Sequence, residues 1–106
     1  MKVFHTVSGL RDDLVRDRIQ GLRIGFVPTM GALHQGHISL IEQAKAECDL
    51  VVVSIYVNAL QFNSEQDYDR YPRTKESDFE QCERAKVDAV FAPMKSDLFP
   101  EDVVEL

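Results

Sequence analysis

Two histidines three residues apart, His34 and His37, stand in the segment Pro28-Thr29-Met30-Gly31-Ala32-Leu33-His34-Gln35-Gly36-His37. Three residues is close to one helical turn, so both imidazoles can point toward the same ligand. Imidazoles donate hydrogen bonds to phosphate oxygens, and such donors matter most where charge accumulates in a transition state. Gly31 and Gly36 let backbone approach a ligand closely. The helix that follows them brings unpaired amide N–H groups and the positive end of its dipole, both of which favour an anion. No Asp, Glu, Lys or Arg occurs from Gly25 through Ile41, so a phosphate would meet no carboxylate of its own loop. The glycines have P-loop spacing, but His37 and Ile38 stand where that motif has Lys and Ser or Thr, which excludes a Walker A site. The spacing alone also fits a structural turn that carries polar surface residues. A second set of polar side chains, Asn58 and Gln61 with Phe62 beside them, follows the most apolar run of the chain. As lone amides these also fit the task of satisfying backbone groups after a buried strand.

Positioning these residues requires strands and helices in alternation. Ser8 is a candidate cap for a helix whose Leu10, Leu14, Val15 and Ile19 recur at helical spacing, with Asp12 and Asp13 in its first turn and an end near Gly21. Leu22 to Val27 reads as a short strand stopped by Pro28. A second helix fits from about Gly36 to Cys48, with Ile38, Ile41, Ala44 and Cys48 on one stripe. Leu50 to Val57, broken only by Ser54, lacks alternation and therefore predicts a strand covered on both faces. Thr74 is placed to cap a third helix that carries Phe79, Cys82 and Ala85 on one face, and Val87 to Ala92 reads as a strand closed by Pro93. The fold class is α/β: two βαβ units in a Rossmann-like parallel sheet with flanking helices. In such a sheet ligands bind beyond the carboxyl ends of the strands, and adjacent strands would deliver the histidine loop and the Asn58 loop to one cleft.

Length and composition bound the functional class. One compact core fits 106 residues, and 44% hydrophobic with 28% charged residues is ordinary globular composition. The net charge of -6 excludes a general binder of nucleic acid or membrane surface, which would need a cationic face. Residues 1 to 64 hold six acids and six bases, so all of the net charge belongs to residues 65 to 106. Cys48 and Cys82 show neither CxxC nor Cys/His metal spacing, which predicts two free thiols on helices and no metal site. The longest apolar run is too short to span a bilayer and the amino terminus lacks signal-peptide zones, so the expected compartment is the cytoplasm.

The string Val27-Pro28-Thr29-Met30-Gly31-Ala32-Leu33-His34-Gln35-Gly36-His37-Ile38-Ser39-Leu40-Ile41 closely resembles the nucleotide-binding segment of the pantothenate synthetase (pantoate:β-alanine ligase) family. Its His-Gln-Gly-His portion resembles the HxGH motif of the wider nucleotidyltransferase superfamily. The resemblance extends in order and spacing through Val52 to Asn58, Gln61-Phe62, Tyr71-Pro72-Arg73-Thr74 and Val87 to Pro93, and so covers nearly the whole chain.

The resemblance implies an ATP-dependent ligase that joins pantoate to β-alanine through a pantoyl adenylate, in pantothenate and coenzyme A biosynthesis. It places ATP, with its Mg2+, along Met30, Gly31, Ala32, Leu33, His34, Gln35, Gly36 and His37. His34 and His37 would stabilise the phosphates, with His37 as the proton donor, while Gln61 and Asn58 would hold pantoate. Family members are more than twice as long, so the expectation is an amino-terminal nucleotide- and pantoate-binding domain over residues 1–106, inactive alone. The family's later Lys, second pantoate-binding Gln and Ser/Arg loop have no counterpart here. Ala59 stands where the family has Pro, and Phe99 where it generally has Tyr. An uncovered edge on the first motif-bearing strand would favour a homodimer, unless Lys2 to His5 covers that edge. The alternatives are another HxGH nucleotidyltransferase that activates a different acid, and a non-catalytic nucleotide-binding or assembly domain.

Overall fold

The computed structural model describes residues 1–56 and 74–93. In chain order they form β1 (Lys2–Phe4), α1 (Val7–Ile19), β2 (Ile24–Thr29), α2 (Gln35–Glu47), β3 (Leu50–Ile55), α3 (Lys75–Arg84) and β4 (Ala89–Phe91). The four strands are parallel and lie in the order β1-β4-β3-β2. This is the α/β arrangement expected from the alternating pattern. The Lys2 to His5 stretch does not cover β2, because β1 pairs with β4 at the opposite side of the sheet.

The unbroken apolar run becomes β3, whose Val51, Val52, Val53 and Ser54 are all buried because helices cover both of its faces. Successive residues point to opposite sides. Val51 and Val53 join Val90 of β4 and Val27 of β2 beneath α2 and α3, which contribute Ile41 and Cys82. Val52, Ala89 and Phe91 face the other way and pack with Leu10 of α1. Two aspartates tie the sheet at the amino ends of its strands. Asp49 accepts the Arg23 N–H (2.7 Å) and Asp88 accepts the Val51 N–H (2.7 Å).

Three local expectations need correction. Thr6, not Ser8, caps α1: its hydroxyl accepts the Gly9 N–H at 3.0 Å, and Asp12 and Asp13 fall beyond the first turn. Pro28 does not stop β2 but lies inside it, paired with Ser54. Proline lacks the N–H that a central strand would use, and β2 tolerates it because its outer side has no strand neighbour among the described residues. Thr74 does precede α3, but its hydroxyl makes no capping bond to that helix's backbone and turns to Asp78 instead.

Candidate functional site

Thr29 and Ile55 pair at the carboxyl ends of β2 and β3, where a parallel sheet presents its ligands. Thr29 anchors the turn that leaves β2. Its hydroxyl donates to the Ser54 carbonyl (2.9 Å) and accepts the Gly31 N–H (3.1 Å), while its own carbonyl accepts the Tyr56 N–H (3.1 Å). The chain then takes two left-handed steps, Gly31 at φ +82° and Ala32 at φ +52°. Gly31 suits such a step, and its space is also taken: an added Cβ would lie 3.0 Å from Asp78 Oδ2.

Asp78 is the residue that motif spacing does not single out. It projects from α3 under the loop, where it is 1% exposed. Its Oδ2 accepts the Ala32 N–H and its Oδ1 the Leu33 N–H, both at 2.9 Å, and the Thr74 hydroxyl lies 3.2 Å from each oxygen. Gln81, one turn further along α3, donates from Nε2 to the Leu33 carbonyl at 3.4 Å. The sequence does carry a signal for Asp78, since it lies four residues before Cys82 and so puts a charge on the stripe that packs inward. The loop carries no carboxylate of its own, and the one that holds its amides comes from α3.

At the start of α2 the two histidines cap the helix for one another. His34 Nδ1 accepts the Gly36 N–H (3.0 Å) and His37 Nδ1 accepts the His34 N–H (3.1 Å), leaving the rings 4.1 Å apart between centroids. A neutral imidazole that accepts at Nδ1 carries its proton on Nε2. Both rings are therefore fixed as Nε2–H donors, and those protons are not used by the cap. Gly36 is required here for space, since an added Cβ would lie 2.7 Å from His34 Cε1.

The expected cradle of unpaired amides is different in the structure. The N–H groups of Gly31, Ala32, Leu33, His34, Gly36, His37 and Ile38 all have partners in the protein. What this helix end offers an anion is mainly the imidazole Nε2–H pair and the dipole. His37 has a pKa below its usual 6.5, first because partial burial disfavours the charged ring and next because His34 sits beside it, with Asp78 pulling the other way. Its neutral form, the one that keeps Nδ1 as an acceptor, is thus favoured.

The remaining expected site residues divide by exposure. His34, Gln35 and Gly36 are exposed, Met30, Ala32 and His37 are half-buried, and Gly31 is buried. Leu33 is 8% exposed and packs into the core beneath α2 and α3, so its side chain is structural. Asn58 and Gln61 lie outside the described residues, as do Ala59, Arg73 and Phe99. Among the described residues, no group of three or more His, Cys, Asp or Glu side chains could hold a metal ion, and no helix is long and apolar enough to cross a membrane.

Residues 2–106 match the family model described as Pantoate-beta-alanine ligase. The chain belongs to the pantoate-beta-alanine ligase family. Its relatives include the pantothenate synthetase of Hydrogenovibrio crunogenus, 51% identical over 100 residues that make up 94% of this chain and 35% of the relative. That of Cellvibrio japonicus is 46% identical over 99% of this chain and 37% of its own length. Among solved structures, the family member from Thermus thermophilus superposes with a TM-score of 0.86 at 44% identity, covering all of this chain and 38% of that one. The Pantoate-beta-alanine Ligase from Francisella tularensis, complexed with beta-gamma ATP and beta-alanine, gives a TM-score of 0.87 at 43% identity over 95% of this chain. The chain thus spans little more than a third of the length of the relatives that it matches.

Proposed function

We propose that this chain supplies the nucleotide-binding part, and through Asn58 and Gln61 part of the pantoate site, of an ATP-dependent pantoate:β-alanine ligase. The supporting observation is the pair of imidazoles at the start of α2, each held with Nδ1 as an acceptor and Nε2–H as a donor. In this reading both donors contact the phosphates of ATP, and His37 is the one that follows the developing charge when the pantoate carboxylate attacks the α-phosphate. Pyrophosphate leaves and pantoyl adenylate forms. The amine of β-alanine then displaces AMP to give the amide. Such transfers depend on positioning and electrostatics and need no protein nucleophile. Mg2+ enters as the counter-ion of ATP.

The Francisella tularensis relative, complexed with beta-gamma ATP and beta-alanine, supports this choice of ligands. We assign the protein to the cytoplasm, where unpaired thiols such as Cys48 and Cys82 persist. We also propose that two copies associate through the outer side of β2. A groove of about 490 Å³ runs there beside α2, and Phe26 and Leu40 along it are 52% and 54% exposed. Exposed apolar side chains gathered along a groove form a surface that a second copy can cover.

Calorimetric titration tests the ligand assignment. ATP with Mg2+ binds the wild-type protein, pantoate raises that affinity, and His34→Ala and His37→Ala weaken it. Reciprocal coupling between ATP and pantoate is expected if the two ligands share one cleft. The absence of ATP binding would overturn the reading. Equal coupling to an unrelated carboxylic acid would replace it with another nucleotidyltransferase, and ATP binding with no coupling to any acid would leave a nucleotide-binding module.

A further inference from the structure

The buried carboxylate under the loop has a role that neither the motif nor the proposed chemistry assigns. A carboxylate taken out of water is costly unless its oxygens are hydrogen-bonded, and Asp78 meets that condition with the Ala32 and Leu33 amides and the Thr74 hydroxyl. Both amides belong to the strained part of the turn, next to the left-handed Gly31 and Ala32. Left-handed backbone at a residue with a Cβ persists only where the surroundings over-determine it. Here the determinant is a rigid acceptor that takes two successive N–H groups from one side. The next residue in the chain is His34, whose N–H is in turn accepted by His37. The path from α3 to the imidazoles is therefore continuous: Asp78, the Ala32 and Leu33 amides, His34, His37.

We propose that Asp78 is a positioning residue for the nucleotide loop, its carboxylate fixing Ala32 and Leu33 so that the His34 and His37 Nε2–H donors converge on phosphate. This rests on the ATP-binding reading above. It also makes a prediction opposite in sign to simple electrostatics. Asp78 is a negative charge near an anion site, so if charge alone mattered, Asp78→Asn would tighten ATP binding. If positioning governs, Asp78→Asn weakens it, because one amide oxygen cannot replace two acceptors and the new NH2 faces a backbone N–H.

The test uses the full chain as wild type, Asp78→Asn and Thr74→Val, the last removing the hydroxyl that steadies the carboxylate at an exposed position. Two quantities are read: ATP affinity by calorimetry, and the ring-nitrogen NMR signatures of His34 and His37, which report tautomer without any ligand. The expected result is a loss of roughly 10-fold or more in affinity for Asp78→Asn, the scale of a charge-assisted hydrogen bond, and a smaller loss for Thr74→Val. Both variants should also shift the ring signatures away from the pure Nε2–H form. Unchanged ring signatures, or tighter ATP binding by Asp78→Asn, would overturn the role. If Asp78→Asn does not fold, Thr74→Val decides by the same two readouts. Should the wild-type protein fail to bind ATP while the ring signatures still respond, the ATP reading falls and the coupling of Asp78 to the histidines stands.

Discussion

At the scale of single residues, the histidine pair couples a helix cap to a proton inventory. The His37 ring has a pKa below 6.5, so an unfolded chain takes up its proton first as pH falls. The stabilising contribution of the neutral ring is whole above pH 6.5 and is lost as pH drops through the lower folded-state value. Protonation at Nδ1 also removes the acceptor for the His34 N–H. An NMR titration should therefore give His37 a midpoint under 6.5, with the His34 amide resonance moving in step; a midpoint above 6.5 would contradict the burial of the ring. Gly36→Ala separates stability from binding. Alanine improves helix propensity by up to about 1 kcal/mol, and the only atoms it crowds belong to the His34 ring. Thermal unfolding should change little, because losing the His34 cap on the Gly36 N–H offsets that gain, while ATP affinity falls on the order of 10-fold as the ring is displaced. Cys82 shows the converse case of a group kept out of chemistry. Burial, with Asp78 adding, pushes its thiol up to about 11. Alkylation of the native protein at neutral pH should leave Cys82 unmodified by mass spectrometry and reach it only after denaturation.

At the scale of elements, the helix that carries the histidines is held to the sheet by its buried stripe. Ile41 is fully buried between α2 and the valines of β2, β3 and β4. Ile41→Ala should cost about 2–5 kcal/mol of stability, read from denaturant unfolding. This stripe was legible in the sequence, as was β3, because both depend on short-range periodicity that the residues themselves carry. What was not legible depends on neighbours distant in the chain. Pro28 signals the end of a strand in any local reading, and its acceptance within β2 follows only from the place of that strand at the side of the sheet among the described residues. The loop amides looked free because their acceptor, Asp78, lies on a helix more than forty residues later. Thr6 and Ser8 are both plausible caps two residues apart, and the choice between them follows from where β1 ends.

At the scale of the whole molecule, β1 and β2 are the two outer strands of the sheet among the described residues, and the exposed apolar groove lies on the β2 side. Sedimentation should show a concentration-dependent dimer, and Phe26→Lys, which puts a charge on the exposed outer strand, should return the protein to monomer without unfolding it. A wild-type monomer at the highest attainable concentration would exclude self-association through this side. The -6 charge does not oppose a nucleotide, because the loop and the first turns of α2 carry no charged side chain from Gly25 through Ile41.

The bond between the Ala32 amide and Asp78 spans 46 residues of chain. The turn after β2 thus cannot take its working shape when β2 and α2 form; it must wait for α3 to be synthesised and to dock. Non-local contacts of this kind are made late, since the loop entropy has to be lost before they can form. A nascent chain that has emerged only as far as β3 would therefore carry the histidines with the turn before them unlocked, and nucleotide capture would begin only with the arrival of α3. Hydrogen exchange would carry the same timing in reverse: the Ala32 and Leu33 amides should open together with the detachment of α3 and not with the fraying of α2, which follows them in the chain.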